Sequence, residues 1–177
     1  MKRTFRDLIV KLLNEHRIMT LATLRADGWP QATTVGYVND GLVLYLFADR
    51  DGQKVRNVLH DDRVSVAIAK DYRRPLDIKG LSLAGRAIVV DDPGEVEHAH
   101  ALMLARHPEQ RVLPRPKPEE VALVRVMPEL VSVVNYAQGY GHSDLVQVSE
   151  NDLAEFVESR RHHWAGHSHS DPPQLPD

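Results

Sequence analysis

Apolar residues recur along the chain in two periods that alternate from segment to segment. Phe5, Leu8, Ile9, Leu12 and Leu13 stand at i, i+3, i+4, i+7 and i+8, the stripe of an amphipathic helix. Thr4 is placed to cap it, with Asp7 as the acid at capping-box spacing. Ile18 to Leu24 is short and rich in β-formers, and an Asp27-Gly28 turn followed by Pro30 closes it. Gln31 to Val38 alternates as a partner strand, with Thr33, Val35 and Tyr37 on one face and Thr34, Gly36 and Val38 on the other. Asn39-Asp40-Gly41 reads as a second hairpin turn. It leads into Leu42 to Phe47, an unbroken apolar run that fits a strand buried on both faces. Strands joined by tight turns predict an antiparallel meander here, with Gln31–Val38 paired to Leu42–Ala48.

A polar turn, Asp49 to Gly52, ends that run. Val55, Val58 and Leu59 then fall at helical spacing, so a short helix is expected to start near Asp51 and to carry Lys54 in its first turn. Asp61-Asp62-Arg63 opens another strand, Val64 to Ala69. A charged connection, Lys70 to Pro75, precedes a long extended segment from Ile78 to Val90, in which Gly80 and Gly85 signal bulges or the close approach of another backbone. Glu95 to Arg106 reads as a helix with Val96, Ala99, Leu102 and Met103 inward, stopped by His107-Pro108. The prolines of Leu113 to Pro118 predict an extended connector. Val121 to Val134 returns to a β pattern, with an edge position or a bend at Pro128-Glu129. Ser149 and Asp152 resemble a capping box for a last helix running to about His163. The sum is six strands and a few helices. This is a mainly β, α+β fold: a small antiparallel barrel or sandwich with helices at its ends. The expected divisions are a domain over 1–148, a C-terminal helix over 149–165 and a loose His- and Pro-rich tail over 166–177.

Composition narrows the possibilities. With 177 residues and 42% hydrophobic content the chain can bury a real core. Lys and Arg number 22 against 25 Asp and Glu, a net charge of −3. No basic excess is present to hold a nucleic-acid backbone or an anionic membrane, so neither is an expected partner. Cysteine is absent, which removes disulfides, thiolate nucleophiles and Cys-ligated metals together. No apolar run is long enough to span a bilayer, and Met1 to Asp7 is unlike a secretory signal, so a cytoplasmic location is expected.

Candidate chemistry sorts quickly. Gly80-Leu-Ser-Leu-Ala-Gly85 superficially resembles a nucleophile site, but its second glycine is one residue late and its flanks read as continuous strand. Gly139-Tyr-Gly-His-Ser-Asp144 begins like a dinucleotide fingerprint, yet lacks the third glycine and the strand-helix context. It reads as a glycine-bent loop that can set Tyr140 and His142 against a ligand. Glu97, His98 and His100 fall on different faces of a helix, so they read as solvent-facing and no metal site is expected. His162 to His169 is a histidine-rich stretch open to adventitious metal or haem. What remains is the pair of strands beside Lys54. A helix start offers unpaired backbone N–H groups and a positive dipole end, and Lys54 adds a full charge. An ordinary start with Asp51 paired to Lys54 is the simpler alternative. A planar ring could lie along the strands, held by backbone groups and threonine hydroxyls, with its phosphate at Lys54. A phosphorylated flavin has that shape. It also carries its own redox chemistry, which explains why no acid-base dyad is visible.

Met19-Thr-Leu-Ala-Thr23 with Asp27-Gly28-x-Pro30, Leu44-Tyr-Leu-Phe-Ala48 followed by Lys54-Val-Arg-Asn57, Asp62-Arg-Val-Ser-Val66, and Gly80-Leu-Ser-Leu-Ala-Gly-Arg-Ala87 occur in that order. Together with Val131 to Val146, they make the chain resemble the pyridoxamine 5′-phosphate oxidase-like, FMN-binding split-barrel family from about Phe5 to Val146. The resemblance implies a six-stranded antiparallel split β-barrel with flanking helices, a homodimer, and FMN at the subunit interface. Carried over by position, Lys54 and Gln53 would meet the phosphate. Thr33, Thr34, Val35 and Gly36 would line the ribityl chain and ring. Phe47 and Ala48 would border the flavin, Ser82 would approach from a neighbouring strand, and Tyr136 and His142 would belong to the closing strand and loop.

The chain departs from the true oxidases in one respect that matters. They are similar to it but carry an arginine where Thr33 stands, as a second phosphate ligand, and a lysine near Val38. Losing a bidentate arginine weakens phosphate binding. The C-terminal arginine and tryptophan that grip the pyridoxal substrate have no counterpart, since Trp164 lies past the resembling region. The expectation is therefore an FMN-dependent oxidoreductase acting on a small molecule other than a B6 vitamer. The alternatives are a reductase of the same fold using the deazaflavin F420, and a non-catalytic flavin or haem protein. Catalytic residues are not identifiable from the sequence.

Overall fold

The computed structural model describes residues 1–112 and 117–153. The first helix, α1 (Arg3–Glu15), buries Ile9, Leu12 and Leu13 from the predicted stripe. Each such side chain contributes about 1.5–3 kcal/mol on burial, so packing holds the helix without a cap. Its N-cap is Lys2, with no side-chain bond, rather than Thr4.

The strands follow as β1 (Ile18–Leu24), β2 (Pro30–Gly36), β3 (Val38–Asp40) and β4 (Val43–Asp49), then α2 (Gln53–His60), β5 (Arg63–Ala69) and β6 (Lys79–Val90). After α3 (Pro93–Arg106) come β7 (Val121–Asn135) and β8 (Ser143–Gln147). They form one 8-stranded sheet in the order β2-β1-β5-β6-β7-β4-β3, with β8 also on β7. Every ladder is antiparallel. The sheet curls around a core that includes Met19, Leu21, Leu44, Leu46, Ile68, Leu81, Leu83 and Val124, closed by α1 and by Val55 and Val58 of α2. Helix α3 covers Val43, Tyr45, Val90 and Leu123 on the other face of the sheet. This is a split barrel with flanking helices, as expected, but with eight strands in place of six.

Of the two extra strands, β8 follows the glycine-bent loop after Tyr136, whereas β3 and the change of topology come largely from one residue. Gln31–Val38 is not a single strand and does not pair with Leu42–Ala48. Tyr37 is fully buried, its hydroxyl donates to the Leu13 carbonyl at 2.7 Å, and its N–H donates to the Arg17 carbonyl at 3.2 Å. These bonds draw the chain out of the sheet beneath α1. It leaves one edge at Gly36 and rejoins the opposite edge at Val38. The predicted meander is therefore two separate hairpins, β1–β2 and β3–β4.

Both glycines of β6 sit where another backbone comes close. A Cβ at Gly80 would stand 2.5 Å from the Ile68 carbonyl oxygen, and one at Gly85 would overlap the Met127 carbonyl. The register between β6 and β7 shifts at Ala84/Gly85, where Gly85 pairs Pro128 and Ala84 pairs Leu130. Pro128 is thus accommodated in a bulged central strand, at the point where β7 changes partner from β4 to β8. Helix α2 starts two residues later than Asp51, and Leu59 is 70% exposed rather than inward. Asp152 accepts from the N–H and hydroxyl of Ser149 where a helix begins at Glu150. The predicted run of that helix to His163, the tail and residues 113–116 of the connector lie outside the described residues. Among the described residues no helix is long and apolar enough to cross a membrane.

Candidate functional site

The site is built where α2 meets the two ends of the curled sheet. Strand β2 has β1 as its ladder neighbour and leaves its other edge open. Strand β4 pairs with β3 over residues 43–45, so its edge beyond Tyr45 is open too. The two open edges approach each other without hydrogen bonding. Open edges present unpaired N–H and C=O groups, which favour a polar, planar occupant or a partner strand. Helix α2 packs against β1 and β4 at this end of the barrel.

The start of α2 carries no side-chain cap, and the amides of Gln53, Lys54 and Val55 find no acceptor among the described residues. Three cations lie nearby, and two are engaged. The Arg50 Nε donates to the Pro118 carbonyl at 2.6 Å, and its guanidinium faces Asp91 at 3.6 Å. Arg56 donates to the Asp51 carbonyl and to the Gln53 side chain. Lys54 is half-buried and makes no ion pair or hydrogen bond among the described residues; the alternative pairing with Asp51 does not form. An uncapped helix start with an unpaired ammonium is suited to an anion. At the far end of α2, Asp61 accepts from the Arg63 side chain at 2.9 and 2.6 Å. That contact holds its carboxyl at about 2.

The remaining candidates are distributed unevenly. Thr33 and Val35 pair with the buried Leu21 and Met19, so they face the barrel interior, half-buried at its open edge. Thr34 and Gly36 alternate with them and are exposed on the outer face. Ala48 packs against the barrel core, whereas Phe47 belongs to the α3 side, where it meets the His100 ring edge-on at 6.2 Å. Successive strand residues point oppositely, so their side chains do not border one surface. Gln53 donates to Asn57 at 2.8 Å and accepts from Arg56, which ties its amide into the helix. Ser82 is exposed on the outer face of β6, three strands from β2 rather than beside it.

Tyr136 and His142 stand at the other end of the barrel from Lys54. Tyr136 follows Asn135, which pairs with Lys79 at the start of β6, whereas α2 adjoins the start of β5, opposite Arg86. The intervening strand spans roughly 20 Å at about 3.3 Å per residue. There Tyr136 leans on Tyr140 at 5.4 Å between ring centres, and the loop turns at Gly139 and Gly141 with φ of 143° and 78°. His142 Nε2 lies 3.3 Å from Asp144. His98 is also not simply solvent-facing, since it pairs with Asp40 at 2.8 Å. A cleft of about 490 Å³, lined by Leu12, Glu15, Lys70, Tyr72, Asp77, Lys79 and Ala137, lies at this same far end.

Sequence reasoning missed the polar knot behind α2. Asn57 is 1% exposed and Thr23 3% exposed. The Asn57 amide donates to Thr23 Oγ1 at 2.9 Å and to Gln31 Oε1 at 3.0 Å, while its oxygen accepts from Gln53. The available signal was an asparagine between Val55 and Val58 on the inward face of a short helix, where an apolar residue is the default.

An antiparallel sheet curled into a half-barrel, open between β2 and β4 beside a cationic helix start, defines a split-barrel fold. Residues 5–135 match the family described as pyridoxamine 5′-phosphate oxidase, and the chain belongs to that family. Among solved structures, it is similar to a haem-binding protein from Mycobacterium smegmatis (TM-score 0.70, 24% identity, 88% of this chain and 62% of that one). It is also similar to a FAD-binding protein from Mesorhizobium loti (TM-score 0.57, 22% identity, 74% and 92%). The haem storage protein of Vibrio cholerae aligns with a TM-score of 0.58 at 20% identity over 70% of this chain and 89% of that one. At these identities the likeness is one of fold. No curated protein sequence matches the chain.

Proposed function

We propose that this protein binds FMN between the open edges of β2 and β4 and acts as a flavin-dependent oxidoreductase on a small molecule other than a B6 vitamer. The observation that carries the reading is Lys54, half-buried and, among the described residues, unpaired at an uncapped helix start beside two unpaired strand edges. In this reading Lys54 and the first amides of α2 hold the phosphate. The β2 edge from Thr33 to Gly36 orients the ribityl chain and ring, and the β4 edge beyond Tyr45 closes the slot. When bound, the flavin supplies hydride or electron transfer. The protein's part is to bind, orient and exclude water.

The working unit in this proposal is a homodimer. Thr34, Thr20, Ala67, Ser82, Ser132 and Leu145 form one register row across six strands, and the parallel row from Ala32 to Gln147 carries no charge either. The face they form is largely exposed and about 24 Å wide at about 4.8 Å per strand. An uncharged surface of that breadth favours burial against a partner. A second copy is the economical occupant, because a two-fold axis perpendicular to the strands swaps the barrel ends. That arrangement carries the far-end loop of one copy towards the Lys54 end of the other. The partner subunit's Tyr136 and the partner subunit's His142 then complete the site.

The absorbance spectrum of the purified protein, with mass spectrometry of the cofactor it retains, tests the proposal. Oxidised-flavin bands and the mass of FMN are expected. A deazaflavin mass would assign the site to F420. A Soret band would instead favour the haem reading, which rests on the haem-binding and haem storage proteins of the same fold.

A further inference from the structure

We infer that Asn57 is a positioning residue that fixes the distance between the Lys54 corner and the open edge of β2, an inference that rests on the FMN reading above. A carboxamide buried to 1% exposure is costly unless each polar atom is bonded. Here the bonds are spread over three places. One goes to Thr23 on β1, one to Gln31 on β2, and one comes from Gln53 at the start of the same helix. Lys54 lies one turn before Asn57, so whatever fixes Asn57 fixes the ammonium's base.

The tie to Gln31 matters most. Strand β2 has β1 as its single ladder neighbour, and an edge strand held on one side is the part of a sheet that opens most readily. Gln31 is at the entrance of β2, two residues before Thr33. The knot therefore clamps the strand that would line the ring to the helix that would hold the phosphate. A ligand that engages both gains from the clamp; a ligand that engages the strand alone does not.

The distinction is measurable by flavin-fluorescence titration of wild type, Asn57→Ala and Gln31→Ala with FMN and with riboflavin, which lacks the phosphate. Wild type is expected to prefer FMN at least tenfold, the scale of a charge-assisted contact. Asn57→Ala is expected to weaken FMN about fivefold, the scale of one neutral hydrogen bond, and to leave riboflavin unchanged. Adding Lys54→Ala to Asn57→Ala should then cost no more than Lys54→Ala alone, because coupled sites are not additive. Gln31→Ala, at a half-buried edge position, should weaken FMN about twofold, and it decides the matter if Asn57→Ala does not fold. Equal weakening of both flavins, or none of either, overturns the positioning role. A wild type that binds FMN and riboflavin equally overturns the phosphate reading of Lys54 itself.

Discussion

The two ends of β2 are held in opposite ways. Beyond Gly36, Arg106 and Tyr37 tie the backbone carbonyls and asparagine side chains together, although the ring Nε2 atoms of His16 and His107 are buried without a partner among the described residues. Arg106 donates to the carbonyls of Leu13 and His16 at 3.0 and 3.2 Å and to the side chains of Asn14 and Asn39 at 2.7 and 3.0 Å. The Tyr37 hydroxyl shares the Leu13 carbonyl, and burial pushes its pKa far above the ordinary range despite the nearby Arg106. At the other end, Asn57 satisfies the interior, but Lys54 and the first amides of α2 have no partner among the described residues. Folding alone gives no reason to leave a half-buried ammonium unmatched. The closed end gives the barrel its topology, and the open end is where binding is expected.

Substitutions at the two ends should therefore move different quantities. Arg106→Met removes a charged donor from two carbonyls at the end of α1 and two asparagines, and should lower stability by about 2–3 kcal/mol. The check is urea unfolding, with FMN affinity of the remaining folded protein little altered. Lys54→Ala should do the reverse. FMN affinity falls tenfold or more, about 1.4 kcal/mol, while the unfolding midpoint stays within error of wild type. If Lys54→Ala instead destabilised the protein as much as Arg106→Met, the contrast between the ends would be lost. Tyr37→Phe deletes one buried hydrogen bond and should lower stability by about 1 kcal/mol, with increased amide exchange in β2 and β3. The smallest effect is expected from acid. The folded Asp61 pKa, about 2, is below the unfolded value near 4. The bond to Arg63 therefore stabilises fully above pH ~4 and is lost as pH falls towards ~2. Asp61→Asn should flatten the stability profile across that window, with stability slightly below wild type near neutrality and equal to it near pH ~2.

Local structure was legible where one period dominated. The Ile9, Leu12, Leu13 stripe, the alternation of β5 and the crowded glycines of β6 all announce their elements because the pattern records burial directly. Topology was hidden at Tyr37. Its place in the alternation of Gln31 to Val38 is regular, and nothing local reveals that its hydroxyl reaches Leu13, 24 residues earlier in the chain, and pulls the chain to the other edge of the sheet. The same error made β2 and β4 a paired shelf when they are two unpaired edges, although the slot they leave sits beside the same Lys54. Asn57 was visible within a motif, but its role needed the positions of Thr23 and Gln31. Tyr136 and Ser82 were drawn in by resemblance, and His142 by its glycine-bent loop as well, and their distance from Lys54 along the barrel cannot be read from spacing.

The proposed site places the phosphate of a flavin at the start of α2 and its ring between β2 and β4. A crystal structure of the protein with FMN tests this most directly. A phosphate oxygen is expected within hydrogen-bonding distance of Lys54 Nζ, with the ring against the backbone of Thr33 to Gly36. A flavin bound elsewhere, with Lys54 turned to solvent, would contradict it.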